Sequence, residues 1–380
     1  MNAAAGTSEA VQYEAATAVQ LRRATFEDYA QIVWLERTAL DRSAASITEW
    51  RRLWVDNPLW REVGGNWPIG WVLQTADGRI VGSFGNIPLL YYFRGERVVA
   101  ATGRGWIVLP QYRGFALWLL DERFRQSGVD LFIDTTISHN SLAAFSEFSN
   151  RVPLGDWHTI AFCVTGHRSF ARRALEKLNV PLSSVLSAPL GASLWIKDAI
   201  LRPKLGGSPY TIEVPERFDS RFEIFWNELL RQSSETLLAA RDTETLTWHF
   251  STALNCRRLG VFIASRNGKM RAYAIFRRQG GAKTAQRARL VDYQTLEPEK
   301  DALRYLLDAA WRWCVAEDIY ILDKAGVGIA KTQAFDRFGT YRQRRPWPFF
   351  YRAVAPALAY ELRKPSAWDP SDYDGDATIE

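Results

Sequence analysis

One stretch of the sequence combines residue types that could hold an anion. Trp106, Ile107 and Val108 form the end of an apolar, strand-like segment that stops at Pro110. A short polar turn follows over 111–116, and a run with helical spacing begins directly after it. A strand-to-helix turn of this kind directs backbone N–H groups and the positive end of the helix dipole towards a ligand. This turn is therefore predicted to bind a phosphate-like group.

The elements around this turn must place it at the end of a sheet. Asp77-Gly78 and Arg94-Gly95 are hairpin turn signals, and they predict an antiparallel meander leading into the turn. Thr25 and Asp28 indicate the cap of a first helix. The predicted order is β-α-α-β-β-β-α-β-α-β, with strands at Val19–Arg23, 71–75, 80–92, 97–108, 130–136 and 160–165 and helices at 29–40, 47–55, 117–126 and 140–148.

The turn carries a recognisable pattern, Gln111-x-x-Gly114-x-Ala116, after a strand that ends Val108-x-Pro110. This pattern resembles motif A of the GNAT acyltransferases, and the element order over 19–165 resembles their fold. The resemblance implies an acyl-CoA site. Backbone groups of the fourth strand would pair with the pantetheine, and amides of the turn would meet the pyrophosphate. The implied cofactor-binding residues are Trp106, Ile107, Val108, Gln111, Tyr112, Arg113, Gly114, Phe115, Ala116 and Asn140.

The resemblance also implies direct attack of an amine on the thioester, which needs a proton acceptor and oxyanion donors. The family often has an acid on the fourth strand, but residues 102–105 here are Thr-Gly-Arg-Gly. Many members place a general-acid Tyr about seven residues beyond an Asn. Counting from Asn140 gives Glu147 instead.

The candidate catalytic residues are His139, Asp134 and Glu147, with Ser138 beside them. His139 could titrate near neutral pH, or it could be an ordinary loop histidine. His158 and Cys163 are weaker candidates.

The second half of the chain repeats this order of elements without visible sequence identity. The predicted fold class is α/β (α+β), with two tandem GNAT-like mixed, mostly antiparallel sheets flanked by helices. Predicted bounds are 1–18 for a disordered leader, 19–165 for the acyl-CoA-binding domain, 166–208 for a connector, 209–355 for a degenerate GNAT-like domain and 356–380 for an acidic tail. The turn equivalent to 110–116 reads Glu297-Pro298-Glu299, which would repel a pyrophosphate. We therefore expect one CoA site per chain.

Composition limits the class of protein. The 380 residues have a net charge of +6, and their three cysteines show no paired spacing. These features indicate a cytoplasmic protein with no disulfide framework and no metal site. Neither a nucleic-acid motif nor an apolar run of spanning length is present, so no nucleic-acid or membrane partner is expected. The acidic tail is expected to be solvated, or else anchored by Trp368 and Tyr373 on a basic groove such as one holding Arg342, Arg344 and Arg345.

The expected function is transfer of an acyl group, most simply acetyl, from acyl-CoA to a small-molecule amine lodged between the two halves. Three alternatives stay open on the sequence. The donor could be an acyl carrier protein, or an aminoacyl-tRNA as in the Fem-type peptidyltransferases. The chain could also be a non-catalytic CoA-binding module, since it lacks both the strand-four acid and the helix Tyr.

Overall fold

Two sheets form the framework of the protein. The computed structural model describes residues 19–40, 45–154, 159–201, 205–280, 286–299, 301–325, 335, 338, 341–344 and 348–379. The predicted leader, His158 and Arg345 lie outside these ranges. Within them, the first sheet has the order β1-β2-β3-β4-β5-β15-β6, with β9 paired to β3, and the second has the order β14-β7-β13-β12-β11-β10-β8. The predicted pair of mixed, mostly antiparallel sheets flanked by helices is confirmed.

The strands are β1 Val19–Arg23, β2 Gly70–Thr75, β3 Ile80–Phe93, β4 Glu96–Val108, β5 Leu131–Asp134, β6 Asn150–Arg151, β7 Thr159–Val164, β8 Thr211–Glu213, β9 Leu238–Ala239, β10 Leu259–Arg266, β11 Lys269–Gln279, β12 Arg287–Thr295, β13 Ile321–Ala325, β14 Tyr341–Arg344 and β15 Phe350–Ala353. The helices are α1 Tyr29–Leu40, α2 Ile47–Val55, α3 Pro58–Val63, α4 Ala116–Phe124, α5 Leu142–Phe148, α6 His167–Lys177, α7 Ser183–Leu201, α8 Ser220–Gln232, α9 Thr243–Asn255, α10 Ala302–Ala316 and α11 Pro356–Glu361.

Local signals account for the first sheet. Arg94 and Gly95 both have positive φ, 54° and 79°. This is the backbone of a type I′ turn, whose twist matches that of the flanking strands. The turn sets β3 against β4, with Tyr92 opposite Arg97. The first helical turn begins with the predicted capping box of Thr25 and Asp28. The meander before residue 110 is thus built from short-range turn chemistry.

Two strands cross between the halves. β7 comes before the connector in sequence, yet it lies in the second sheet between β13 and β14. β15, from the end of the second half, pairs with β5 in the first sheet. The prediction had grouped the strand at 160–165 with the first half. The structure places it in the second sheet, so each half completes the sheet of the other.

The C-terminal segment is buried between the halves. Trp368 and Tyr373 belong to a hydrophobic cluster that takes residues from both sheets. Asp372, Asp374 and Asp376 are each less than a tenth exposed. The expected solvated tail is therefore wrong, and the alternative of an anchored tail is right. Its basic partners include Arg289, 3.9 Å from Asp372, and Arg345 of the predicted groove lies outside the described residues.

The connector is helical over most of its length. Residues 181–190 include two prolines, Pro181 and Pro189, which disfavour a helix, yet α7 runs unbroken through Pro189. Ser187 and Gly191 on this helix are buried against other parts of the same chain. Tertiary packing of that kind overrides the weak local preference of these residues for turns. No helix in the described ranges is long and apolar enough to cross a membrane.

Candidate active site

The candidate active site is an opening between β4 and β5. These parallel strands pair only from Ala100 to Thr102, opposite Leu131 to Ile133, and then separate. A cavity of about 110 Å³ lies where they part. It is lined by Phe84, Gly103, Gly105, Trp106, Asp134, Thr136, Ile137, Ser138, Ser141 and Phe145. The separation exposes the edge of β4 to a ligand, because its backbone groups no longer pair with β5.

A β-bulge shapes the β4 side of this opening. Ser83 lies opposite Ile107 and Gly85 opposite Arg104, so three steps on β4 match two on β3. Gly105 sits in the bulge with φ +61°, a left-handed conformation that favours glycine. The bulge bends β4 beside the cavity.

The predicted anion-binding turn forms a six-residue 3₁₀ helix, Pro110–Phe115, that leads into α4. Gln111, Arg113 and Gly114 are exposed. A side chain built at Gly114 would meet nothing within 4 Å. The indole of Trp106, which lines the cavity, donates a hydrogen bond to the Ala116 carbonyl at 3.3 Å. The turn and the cavity are thereby joined.

Asp134 lines the cavity but is already engaged. Its carboxylate accepts hydrogen bonds from the Arg123 guanidinium at 3.0 Å and from the Gly103 amide at 3.1 Å. Arg123 is fully buried and also donates to the Ala101 carbonyl. Burial raises the pKa of Asp134, and the Arg123 charge opposes that shift. This pair links α4, β4 and β5 at the point where the strands separate.

The structure does not bring the other predicted catalytic residues to the cavity wall. His139, Asn140 and Glu147 are exposed and do not line it, whereas Ser138 and Ser141 from the same segment do. His139 begins a single 3₁₀ turn that precedes α5. A role for His139 or Glu147 in proton transfer stays a prediction.

The sequence reasoning missed a second carboxylate, Glu36. It is 8% exposed, and none of the residues described here hydrogen-bonds or ion-pairs with its carboxylate. Glu36 Oε1 lies 2.9 Å from the point that a Cβ at Gly105 would occupy, so only glycine admits the carboxylate at the bulge. One signal was available: Glu36 stands one helical turn after Ile32, on the buried face of α1.

Glu36 borders a small cavity of about 10 Å³, close to the least space that holds one water molecule. Trp71 Nε1 and Ser83 Oγ line this cavity, and both are buried without a hydrogen-bond partner within the described chain. Arg104 is the other ionisable residue on its wall. Phe84 and Gly105 line both this cavity and the opening between β4 and β5. Glu36 therefore adjoins the candidate site through the bulge.

A larger cavity, about 370 Å³, lies between the two halves. Its wall includes four carboxylates, from Glu62, Glu223, Asp242 and Glu244, and one guanidinium, from Arg97. His249 also lines it, and burial holds the pKa of this imidazole well below its usual range. His249 Nε2 is 2.7 Å from the hydroxyl of Thr378 in the tail. Glu62 pairs with Arg97 and Glu244 with Arg61, so the net negative charge of the wall comes from Glu223 and Asp242.

The second half has a comparable separation of strands, and side chains of the tail contact β12 beyond it. β12 pairs with β13 only from Arg287 to Leu290. Further along β12, Asp292 accepts a hydrogen bond from Ser371 at 3.2 Å, and Gln294 donates to Asp369 at 3.3 Å. The tail therefore covers this stretch of β12. Among the residues described, no group of three or more His, Cys, Asp or Glu is placed to hold a metal ion in either half.

The chain was compared with known proteins. The sequence matches no protein-family model and no curated protein. Solved structures do match. A probable N-acyltransferase from Enterococcus faecalis is 13% identical, with 89% of this chain and 73% of that chain covered and a TM-score of 0.56. A GCN5-related N-acetyltransferase from Kribbella flavida is 11% identical, with 90% of this chain and 72% of that chain covered and a TM-score of 0.56.

N-myristoyltransferase from Saccharomyces cerevisiae, solved with bound myristoyl-CoA, is 12% identical; 95% of this chain and 89% of that chain are covered, with a TM-score of 0.52. These similarities extend over most of the chain, so they include both sheets. Together with the separated strands, the bulge and the strand-to-helix turn, they identify the chain as a tandem protein of the GNAT fold.

Proposed function

We propose that this protein is an acyl-CoA-dependent N-acyltransferase whose donor site lies in the first half. The observation that carries the proposal is the opening between β4 and β5, with the turn at 110–116 beside it. Unpaired β4 backbone can hydrogen-bond the pantetheine arm, and the start of α4 with Arg113 can hold the pyrophosphate. The small cavity, about 110 Å³, favours a short acyl group such as acetyl.

The acceptor in this proposal is a cationic amine. The cavity between the halves has four carboxylates against one guanidinium on its wall, which favours an ammonium group over an anion. The amine must lose a proton before or during its attack on the thioester. We propose that Glu36 takes this proton through a water held by Trp71 and Ser83. The neutral amine then attacks the thioester carbonyl, the C–N bond forms and the C–S bond breaks. The nitrogen loses its second proton to the departing thiolate, so CoA leaves as the thiol, and Glu36 releases its proton to solvent.

The site of action in this proposal is the cytoplasm, where acyl-CoA is available. Cys163, Cys256 and Cys314 are free thiols, which suits a reducing compartment. Acyl carrier protein is not needed as a donor if the turn binds CoA.

A thermal-shift titration tests the donor assignment. Acetyl-CoA, myristoyl-CoA and free CoA should each raise the unfolding midpoint as RT ln(1 + [L]/Kd) predicts. Acetyl-CoA and free CoA should each raise the midpoint as far as myristoyl-CoA does. An unchanged midpoint with all three ligands at millimolar concentration would remove the proposed function.

A further inference from the structure

The connector forms an exposed helical hairpin made of α6 and α7. The two helices pack closely, because Gly191 on α7 lies against the backbone of α6: a Cβ at Gly191 would stand 2.8 Å from the Arg168 Cα. His167 Nε2 on α6 and Asp198 Oδ2 on α7 add a hydrogen bond at 2.9 Å. The hairpin is therefore a built element of the fold, held along the second half of α7.

The burial of α7 is the reverse of what a helix in water requires. Its buried residues are small or polar: Ser187, Gly191 and Asp198. Large apolar side chains face outwards instead, and Val185 is 65% and Ile200 76% exposed. The other exposed large apolar residues of the hairpin are Leu178, Leu182, Leu186, Leu190, Trp195, Ile196 and Leu201. A surface of this kind marks a contact with something apolar.

The apolar surface covers most of α7. At about 100° per residue, Ser187, Gly191 and Asp198 fall within one narrow arc, and the exposed apolar residues occupy more than half of the remaining circumference. A partner helix covers a single stripe. An extended apolar phase can cover a broader belt.

Basic residues accompany this apolar surface. Arg168, Arg172 and Lys177 on α6 are exposed, and Lys177 directly precedes the apolar tip of the hairpin at Leu178. The acidic residue among them, Glu176, pairs with Arg172 and Arg173. Two copies of the chain joined through this face would bring like charges together. Anionic headgroups would neutralise them.

We propose that the hairpin of α6 and α7 docks the protein on an anionic membrane surface. The apolar residues of α7 enter the boundary between headgroups and acyl chains, Trp195 lies at that boundary, and the α6 cations contact phosphates. The mode of binding is interfacial, which needs no helix of spanning length. The expectation of no membrane partner rested on the lack of such a span, and the hairpin overrides it.

Vesicle co-sedimentation of the full chain tests this proposal. Vesicles of phosphatidylcholine with about one third phosphatidylglycerol should bind the protein roughly tenfold or more better than phosphatidylcholine alone, and added salt should reduce the difference. The double variant Val185→Glu/Ile200→Glu should lose binding by at least roughly a hundredfold. Lys177→Glu should lose roughly tenfold on the anionic vesicles only.

The matched control is Ile224→Glu, since Ile224 is 71% exposed on α8, away from the hairpin. It should bind vesicles as the parent does, and all variants should keep the parent circular dichroism and melting midpoint. The proposal would be overturned if the parent bound neither kind of vesicle, or if the control lost as much binding as the double variant. It would also be overturned if light scattering showed a dimer for the parent and a monomer for the double variant, and neither protein bound vesicles.

Discussion

The guanidinium of Arg123 and the carboxylate of Asp134 form a buried ion pair at 3.0 Å, at the point where β4 and β5 separate. Arg123 also lies over the rings of Phe84 and Phe132, so its position is fixed by packing as well as by charge. Asp134, one of the acids that the sequence offered for proton transfer, thus serves to neutralise a buried cation. The pair holds α4 to the sheet beside the turn at 110–116.

Replacing Asp134 should therefore affect stability. Asp134→Asn leaves the Arg123 charge buried without a counter-charge, and we expect a loss on the order of 3 kcal/mol in the free energy of unfolding. Urea denaturation measures it. Asp121→Asn, which breaks a surface pair with Arg125, should change stability by less than about 0.5 kcal/mol. Equal small losses in both variants would contradict the assignment.

Gly114→Glu should weaken acyl-CoA binding strongly without unfolding the chain. Space is open around Gly114, so the new side chain fits, but its carboxylate faces the pyrophosphate. Repulsion on the order of 3 kcal/mol corresponds to about a hundredfold in affinity. Isothermal titration calorimetry checks this against Gly65→Glu, which also enters open space, outside the turn. Retained affinity in Gly114→Glu would show that the turn does not bind CoA.

One chain should bind one CoA. The strand separation in the second half is covered by the tail, through Ser371 on Asp292 and Asp369 on Gln294. Glu299, expected from the sequence to face a ligand, is instead buried and accepts a hydrogen bond from the Tyr210 hydroxyl at 2.6 Å. Calorimetric stoichiometry should therefore be close to one, and a value near two would contradict this reading.

Glu36→Gln should slow acyl transfer with little effect on CoA affinity. Loss of a proton acceptor costs about 10²–10⁴-fold in kcat. With acetyl-CoA and an alkylamine, thiol release should fall by a factor in this range. Hydroxylamine, a weaker base that is already neutral near pH 7.5, should be affected much less.

Two further variants refine that test. Glu36→Asp keeps a carboxylate and should recover part of the rate, while Glu96→Gln, an exposed carboxylate of the β3–β4 turn, should leave it unchanged. An equal loss with both amines would assign Glu36 a structural role. If the parent binds acyl-CoA and Glu36→Gln keeps the parent rate, Glu36 is excluded while the donor site stands.

Docking of the tail should weaken as pH rises. Burial raises the pKa of Asp372 to about 7 and that of Asp374 to about 6. The folded state then holds protons that the unfolded chain releases near pH 4, so this contribution is greatest at low pH and is lost as pH rises through 6 to 7.

Asp372→Asn removes one of these groups. The free energy of unfolding of the variant minus that of the parent should rise by about 1 kcal/mol or more as the pH increases from 5 to 8. Asp121→Asn, an exposed control, should show no such trend. A parent–variant difference that is constant with pH would contradict the burial of an ionisable Asp372.

The sequence by itself determined the local parts of this protein. Turn pairs such as Arg94-Gly95, the cap at Thr25 and Asp28, and the proline-to-glycine turn at 110–114 are short-range signals. They act through φ preferences and nearby hydrogen bonds, and they were sufficient to predict the meander, the order of elements and the strand-to-helix turn at 110–116.

Tertiary structure decided what depends on contacts between distant residues. The exchange of β7 and β15 between sheets, the burial of Asp372 and Asp374, and the approach of Glu36 to Gly105 bring together groups far apart in the chain. A strand's period fixes which face is buried but not which edge it joins. The composition of an acidic tail predicts that it is solvated. In the folded protein, buried cations such as Arg241 and Arg289 offset the cost of desolvating its carboxylates, and no local sequence pattern indicates that they do so.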